Sequence, residues 1–249
     1  MVNNIFLYFM IFLENLTISF NKHPIVHHLN LHIPSKTCNA IIGPNGCGKS
    51  SLLKSIINMN TKYDGKIKCS LSKEHISYLP QANNIDRNFP INTFELVSMG
   101  LWNKVGLLKN FSSDDTDRIF SILKTLEIDK FYNKPICSLS GGQFQKALFA
   151  RIMLQDTHLI ILDEPFNAID AKTIKKLLDV IEEWKNKQKT ILCVLHDFTI
   201  ALKHFDHTLL LSKNINVYGK TSDIITQENI DQAFYYNSNI LTTNKICQK

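Results

Sequence analysis

Apolar and polar residues change period several times along this chain, and each change marks an element. Residues 16–20 and 29–33 alternate, which predicts half-buried strands. Residues 38–42 are a short apolar run ending in a glycine-rich turn, and a helical pattern follows from Lys49 to about Met59. Asp64-Gly65 predicts a turn between two short strands, and residues 76–79 a further strand. From Thr93 to about Leu126 the period is helical, broken by a loop near residues 106–113, and a second helix is predicted after Gly141. Residues 159–162 and 190–195 are continuously apolar, as strands buried on both faces are. Between them residues 173–184 form an amphipathic helix, and residues 209–211 and 215–218 predict a closing hairpin. The order implies a β-rich start, a parallel α/β core and a mostly helical insertion over about residues 82–140.

The N-terminus needs separate treatment. Residues 5–13, IFLYFMIFL, hold no charge. As a helix they would span roughly 14 Å, under half a bilayer core. No basic segment precedes them and no small-residue cleavage site follows, which argues against a signal peptide. Residues 1–12 are therefore expected to be an apolar extension leading into the first strand, or to lie upstream of a start at Met10, with a membrane-contacting segment as the alternative. Residues 236–249 carry no pattern and are read as a tail. The domain proper is placed at 13–235.

Composition adds limits. With 44% hydrophobic residues the chain has enough apolar material for a sizeable core. The formal charge of +6 is modest, only three of the 28 basic side chains are arginine, and the lysines are scattered. That argues against a nucleic-acid surface, where arginine and lysine cluster with interleaved aromatics. Six cysteines lie far apart with no C-x-x-C pair, the usage of reduced thiols rather than of a disulfide framework or zinc site. His23, His27, His28 and His32 fall in the β-rich start, with His27 and His28 expected on opposite strand faces. No Cys or carboxylate completes a ligand set with them.

The chemistry lies in three motifs. Residues 43–50 read GPNGCGKS between a strand and a helix, which satisfies G-x-x-x-x-G-K-[ST]. Gly43, Pro44, Asn45, Gly46, Cys47 and Gly48 present backbone N–H groups to phosphates, and the following helix points its positive dipole end at them. Lys49 supplies a point charge, the Ser50 hydroxyl suits a Mg²⁺ ligand, and Ser51 follows in the same helix start. The reading is a nucleoside triphosphate site. Residues 159–165, LIILDEP, deliver two acids at the end of a buried strand, where ligands of open α/β sheets bind. Asp163 is the candidate metal-holding carboxylate and Glu164 the candidate general base. Residues 139–143, LSGGQ, open a helix with Ser140, Gly141, Gly142 and Gln143, a second N–H-rich anion site.

Phosphate loop, LSGGQ and LIILDEP in that order resemble the ABC transporter ATPase, from about Leu13 to Phe234. The resemblance implies a P-loop NTPase fold of the ABC ATPase kind: a parallel α/β core with an antiparallel β subdomain and an inserted helical subdomain. It implies ATP and Mg²⁺ as cofactors, and a homodimer in which Ser140 and Gly142 cap the nucleotide held by the partner. Gln81, in YLPQ, matches the glutamine that senses metal and water. Asp170, in NAID, matches the aspartate loop at the dimer interface. His196, ending ILCVLH, matches the switch histidine near the γ-phosphate. Phe20 falls where the family stacks an aromatic on adenine, a contact worth about 1–3 kcal/mol in nucleic-acid systems. Cys47 departs from the Ala or Ser common in the loop, and its thiol is expected to be open to alkylation without nucleotide.

After Gln81, IDRNFPINTFELVSMG is similar to the segment found in ATPases of zinc, manganese and iron importers. This implies a divalent metal importer, zinc or manganese before iron, with uptake of chelated iron or cobalamin as the alternative. A mechanical ABC ATPase without transport is a further alternative. The importer reading implies integral membrane permease subunits and an extracytoplasmic solute-binding protein as partners. It places the chain on the cytoplasmic face of the plasma membrane, held there by the permease. The cargo itself is expected never to touch this chain.

Overall fold

The structure is a computed structural model and describes residues 9–20, 23–59, 62–106 and 111–234. In chain order it begins with strands β1 (Phe9–Phe20), β2 (His23–Pro34) and β3 (Cys38–Ile42), helix α1 (Lys49–Ile56), and strands β4 (Tyr63–Cys69) and β5 (Ile76–Leu79). Helices α2 (Thr93–Ser98), α3 (Trp102–Val105), α4 (Ser113–Thr125) and α5 (Gly141–Gln155) follow. The chain then alternates: β6 (Leu159–Asp163), α6 (Ala171–Asn186), β7 (Thr190–Val194), α7 (Phe198–His204). It closes with the antiparallel pair β8 (His207–Leu211) and β9 (Asn216–Lys220), then α8 (Thr221–Ile224) and α9 (Gln227–Phe234).

These strands form a three-stranded antiparallel sheet, β2-β1-β4, and a six-stranded sheet, β5-β6-β7-β3-β8-β9, parallel except at β9. The second sheet is covered on both faces, which explains its unbroken apolar runs. Ala40 and Ile42 of β3, Ile160 and Leu162 of β6, and Ile191 and Cys193 of β7 enter one core, shared with α5 and α6. Their neighbours Ile41, Leu159, Ile161, Leu192 and Val194 enter a second core with β1, β2 and α1. Strand period alone sorts the side chains between the two.

Two expectations fail in the small sheet, for one reason. Asp64-Gly65 is not a turn; it lies inside β4, where the pairing with β1 jumps between Glu14 and Thr17. Gly65 has φ 99°, and a Cβ there would meet the Asn15 carbonyl oxygen at 2.4 Å. Asn15 (φ 49°) and His28 (φ 47°) are left-handed on the neighbouring strands. A row of bulges thus crosses all three strands. Buried positions skip in step, from Leu13 to Leu16 on β1 and from Val26 to Leu29 on β2. The bulge at His28 therefore leaves both His27 and His28 exposed, rather than on opposite faces. His28 Nδ1 lies 2.8 Å from Asn15 Oδ1, a structural partner.

The apolar extension also differs from expectation. Phe9–Phe12 belongs to β1, with Ile11 fully buried between Ile33 and Cys69 and Phe12 stacked on His32 at 4.2 Å. Residues 1–8 and 235–249, with the rest of the apolar run and the tail, lie outside the described residues. No helix among the described residues is long and apolar enough to cross a membrane.

Between β5 and β6 the helices form their own layer, with α2 and α4 against α5. Phe94, Phe120 and Tyr132 make an aromatic chain with ring separations of 5.6 and 5.3 Å. Helices α2, α4 and α5 each open with a reciprocal capping box, at Asn92/Glu95, Ser112/Asp115 and Ser140/Gln143. Each such cap is worth about 1 kcal/mol.

Candidate nucleotide site

Four parallel strands end on one edge of the large sheet, and each delivers a predicted residue there. The loop after β3 enters α1 through Gly48, which caps the helix at φ 101°. A side chain at Gly48 would meet Val26 Cγ2 at 2.6 Å, so the loop lies tight against β2. Lys49 is only 5% exposed and donates to the carbonyls of Gly43 (2.8 Å) and Pro44 (3.1 Å). The lysine thereby braces the loop.

From β6 come Asp163, buried, and Glu164, half-buried with φ 52°. The Ser50 hydroxyl donates to Asp163 Oδ1 at 3.0 Å, and Gln81 Nε2, beyond β5, lies 3.5 Å from Ser50 Oγ. Burial raises the Asp163 pKa and the neighbouring Glu164 charge adds to it, against the lowering by the Ser50 hydroxyl. Glu164 Oε1 lies 2.9 Å from His196 Nε2 at the end of β7, and its Oε2 accepts from the Asn167 amide. Both oxygens of the candidate base are thus held.

A cavity of about 480 Å³ runs along this edge. Asn45, Gly46, Gly48, Lys49, Ser50 and Ser51 form its floor, Gln81 and Glu164 one wall, and Phe20 with Ile25 the opposite end. Phe20 is 66% exposed, an aromatic ring offered to solvent at the mouth. The Cys47 thiol faces the other way. It is 2% exposed, packs into the core below β1 and β2, and burial raises its pKa. The expectation of an alkylatable thiol is corrected by this inward rotamer, since both access and thiolate formation are suppressed.

The LSGGQ residues do not line this cavity. Ser140 is exposed, its hydroxyl accepting from Gln143 N–H at 3.3 Å while its own N–H donates to Gln143 Oε1 at 3.0 Å. Gly141 and Gly142 abut the aspartate loop: a Cβ on Gly142 would stand 3.2 Å from Asp170 Oδ2 and 3.0 Å from Thr173 Oγ1. Asp170 caps α6, accepting from Thr173 N–H (2.9 Å) and hydroxyl (2.8 Å), and these bonds hold its carboxyl below the usual range. Ser140 and Asp170 form one outward face, apart from the phosphate loop.

Three residues escaped the sequence reading. Asn167 touches the base, Ile25 lines the cavity, and the Tyr78 hydroxyl lies 3.5 Å from Asp163 Oδ2. The spacing Glu164-x-x-Asn167 in a tight turn was the available signal for the first.

The family model for ABC transporters matches residues 26–167. A probable metal transport system ATP-binding protein of Chlamydia trachomatis is 35% identical over 226 residues, covering 89% of this chain and 87% of that one. A manganese transport system ATP-binding protein of Bacillus subtilis is 32% identical over 231 residues, 91% and 92% of the two chains. A solved structure described as a metal-chelate type ABC transporter in an inward-facing conformation superposes with TM-score 0.80 at 27% identity, covering 91% and 89%.

Proposed function

The chain belongs to the ABC transporter family and is an ABC-type ATPase, and from that premise we propose that it energises divalent metal import as one half of a two-chain ATP sandwich. One observation carries the sandwich reading. Among the described residues, those lining the cavity include phosphate loop, base and aromatic but none of the LSGGQ residues, whose N–H-rich helix start stands exposed at Ser140.

In this reading the N–H groups of Gly46, Gly48 and Lys49 cradle the β- and γ-phosphates, and Phe20 stacks on adenine. The Ser50 hydroxyl lies 3.0 Å from the Asp163 carboxylate and 3.5 Å from the Gln81 side chain, which makes a hard donor set that fits Mg²⁺. When bound, that ion neutralises charge on the phosphate oxygens. Glu164 accepts a proton from the attacking water as its oxygen bonds to the γ-phosphorus and the bond to the bridging oxygen of ADP breaks. His196 and Asn167 keep the Glu164 carboxylate aimed. Ser140, Gly141 and Gly142 of the second chain close on the γ-phosphate, with Gln143 capping their helix and Asp170 lying beside them.

The metal cargo follows from the named relatives and from the IDRNFPI segment. Exposed Phe89 and Trp102 on the helical layer suit a coupling helix of the permease. That contact would hold the chain at the cytoplasmic face of the membrane, with a solute-binding protein on the far side. The test is uptake of radioactive manganese and zinc in cells depleted of the chain, complemented by wild type or by Glu164→Gln. Restoration by wild type alone supports import. Unchanged uptake of both ions, with the chain recovered on ribosomes, would instead favour a mechanical ATPase.

A further inference from the structure

We propose that Arg87 is the positioning residue that couples Gln81 to the signature, so that the state of one chain's metal-sensing segment sets Ser140 against the nucleotide of the other chain. The proposal rests on the two-chain reading above.

Arg87 stands six residues after Gln81, across the short turn Ala82–Asn84. Its guanidinium donates to the carbonyl oxygens of Ile136 (3.3 Å) and Leu139. Leu139 is the residue before Ser140. The same guanidinium sits over the Phe144 ring, 4.8 Å from its centre, in the first turn of α5. One side chain thus grips both the strand of chain entering the signature and the helix that the signature opens. Its Nε is buried and finds no partner among the described residues, so the contacts that Nη2 makes with both carbonyls must offset that cost.

The residue type supports this. In a chain whose basic residues are nearly all lysine, arginine stands where one terminal nitrogen serves two carbonyls while the delocalised group rests over an aromatic ring. Lysine could reach the carbonyls but lacks the planar group for the ring. Further along, the two segments are laced mostly by backbone: Ile136 N–H donates to Ile91 O at 3.0 Å, Asn92 bridges to Pro135, and Thr93 N–H and hydroxyl both donate to Lys134 O. Those ties stop short of the signature. Among the described residues Arg87 supplies the side-chain hydrogen bond that reaches Leu139, so a shift of Gln81 toward Ser50 and bound metal is transmitted through it to Ser140.

A positioning role in trans differs from a role in the residue's own site, and mixed dimers separate them. Lys49→Ala destroys a chain's phosphate loop and leaves its signature; Ser140→Arg does the reverse. The pair Lys49→Ala with Ser140→Arg is the control for the two-chain reading, and its failure to recover hydrolysis takes the proposal with it. With the control working, Arg87→Met paired with Lys49→Ala should match wild type paired with Lys49→Ala, because the one live phosphate loop faces an intact signature. Arg87→Met paired with Ser140→Arg should fall about tenfold or more, because the live loop then faces the released signature. Arg87→Lys should recover part of that loss, and ATP affinity of the isolated variant chain should stay within about twofold of wild type. The reverse pattern, with loss in the first pair and not the second, assigns Arg87 to its own site and overturns the proposal. Equal loss in both pairs, with a lowered melting temperature, makes Arg87 a folding residue and overturns it too.

Discussion

The two halves of this site are built by opposite means. At the sheet edge every group is already engaged: Lys49 with the loop carbonyls, Ser50 with Asp163, Glu164 with His196 and Asn167. Strand ends fix these groups along a cavity whose lysine is buried and whose other lining residues are half-buried or exposed. On the helical face, among the described residues, Ser140 and Asp170 hydrogen-bond with the first turns of their own helices. That face is exposed and satisfies itself while it waits. In the proposed reading the sheet edge binds and activates, and the helical face completes a site on a second chain. On that reading one chain holds ATP without committing it to hydrolysis, since commitment needs a second surface.

The comparison breaks most visibly at the base. Glu164→Gln should slow turnover by about 10²–10⁴ while leaving ATP binding intact, the range for loss of a general base. The variant should run as an ATP-dependent dimer on size exclusion. Near-normal turnover would remove Glu164 from the mechanism. A smaller effect is expected at the cavity mouth. Phe20→Ala should weaken ATP binding by about 1–3 kcal/mol, and Phe20→Tyr should be tolerated. Since Phe20 is exposed, unchanged affinity could not be blamed on a rearranged core, and it would place adenine elsewhere.

Gly65→Ala tests the scaffold beneath both halves. Its φ of 99° and the oxygen 2.4 Å from the new Cβ should cost about 1–3 kcal/mol, lowering the melting temperature without changing turnover per folded molecule. A smaller contrast concerns the thiols. In the absence of nucleotide a maleimide should label exposed Cys137 and spare buried Cys47, read by peptide mass. Prompt labelling of Cys47 would mean that the loop opens well beyond the conformation described.

Much of the sheet edge was legible in the sequence because its determinants are local. GPNGCGKS and LIILDEP each place strand, turn and side chain within a few residues, so Lys49, Ser50, Asp163 and Glu164 followed directly. Helices α1 to α6 were legible from their period, while α7, α8 and α9 were not read from the sequence. The small sheet was not, because its bulges arise between strands. Gly65 signals a turn in its own sequence and becomes a bulge only against Asn15, fifty residues away. Asn167 lies in NAID and Arg87 in the IDRNFPI segment, but each acts through a partner brought close by the fold, so neither contact was legible in its motif. Which way Cys47 points was likewise decided by packing against β1 and β2, not by the loop pattern.

The central claim, that each catalytic centre takes its two halves from two chains, has a direct measurement. Lys49→Ala and Ser140→Arg homodimers should each be nearly inactive, the first for want of bound ATP and the second because a bulky charge blocks the closing face. Mixed in equal amounts, they form heterodimers with one whole site, in which the Ser140→Arg phosphate loop meets the intact signature of its partner. ATP hydrolysis should reappear on mixing, at up to about half the wild-type rate per heterodimer and less if the sites cooperate. No hydrolysis in the mixture, with heterodimers shown to be present, or full turnover by Ser140→Arg alone, would contradict the account.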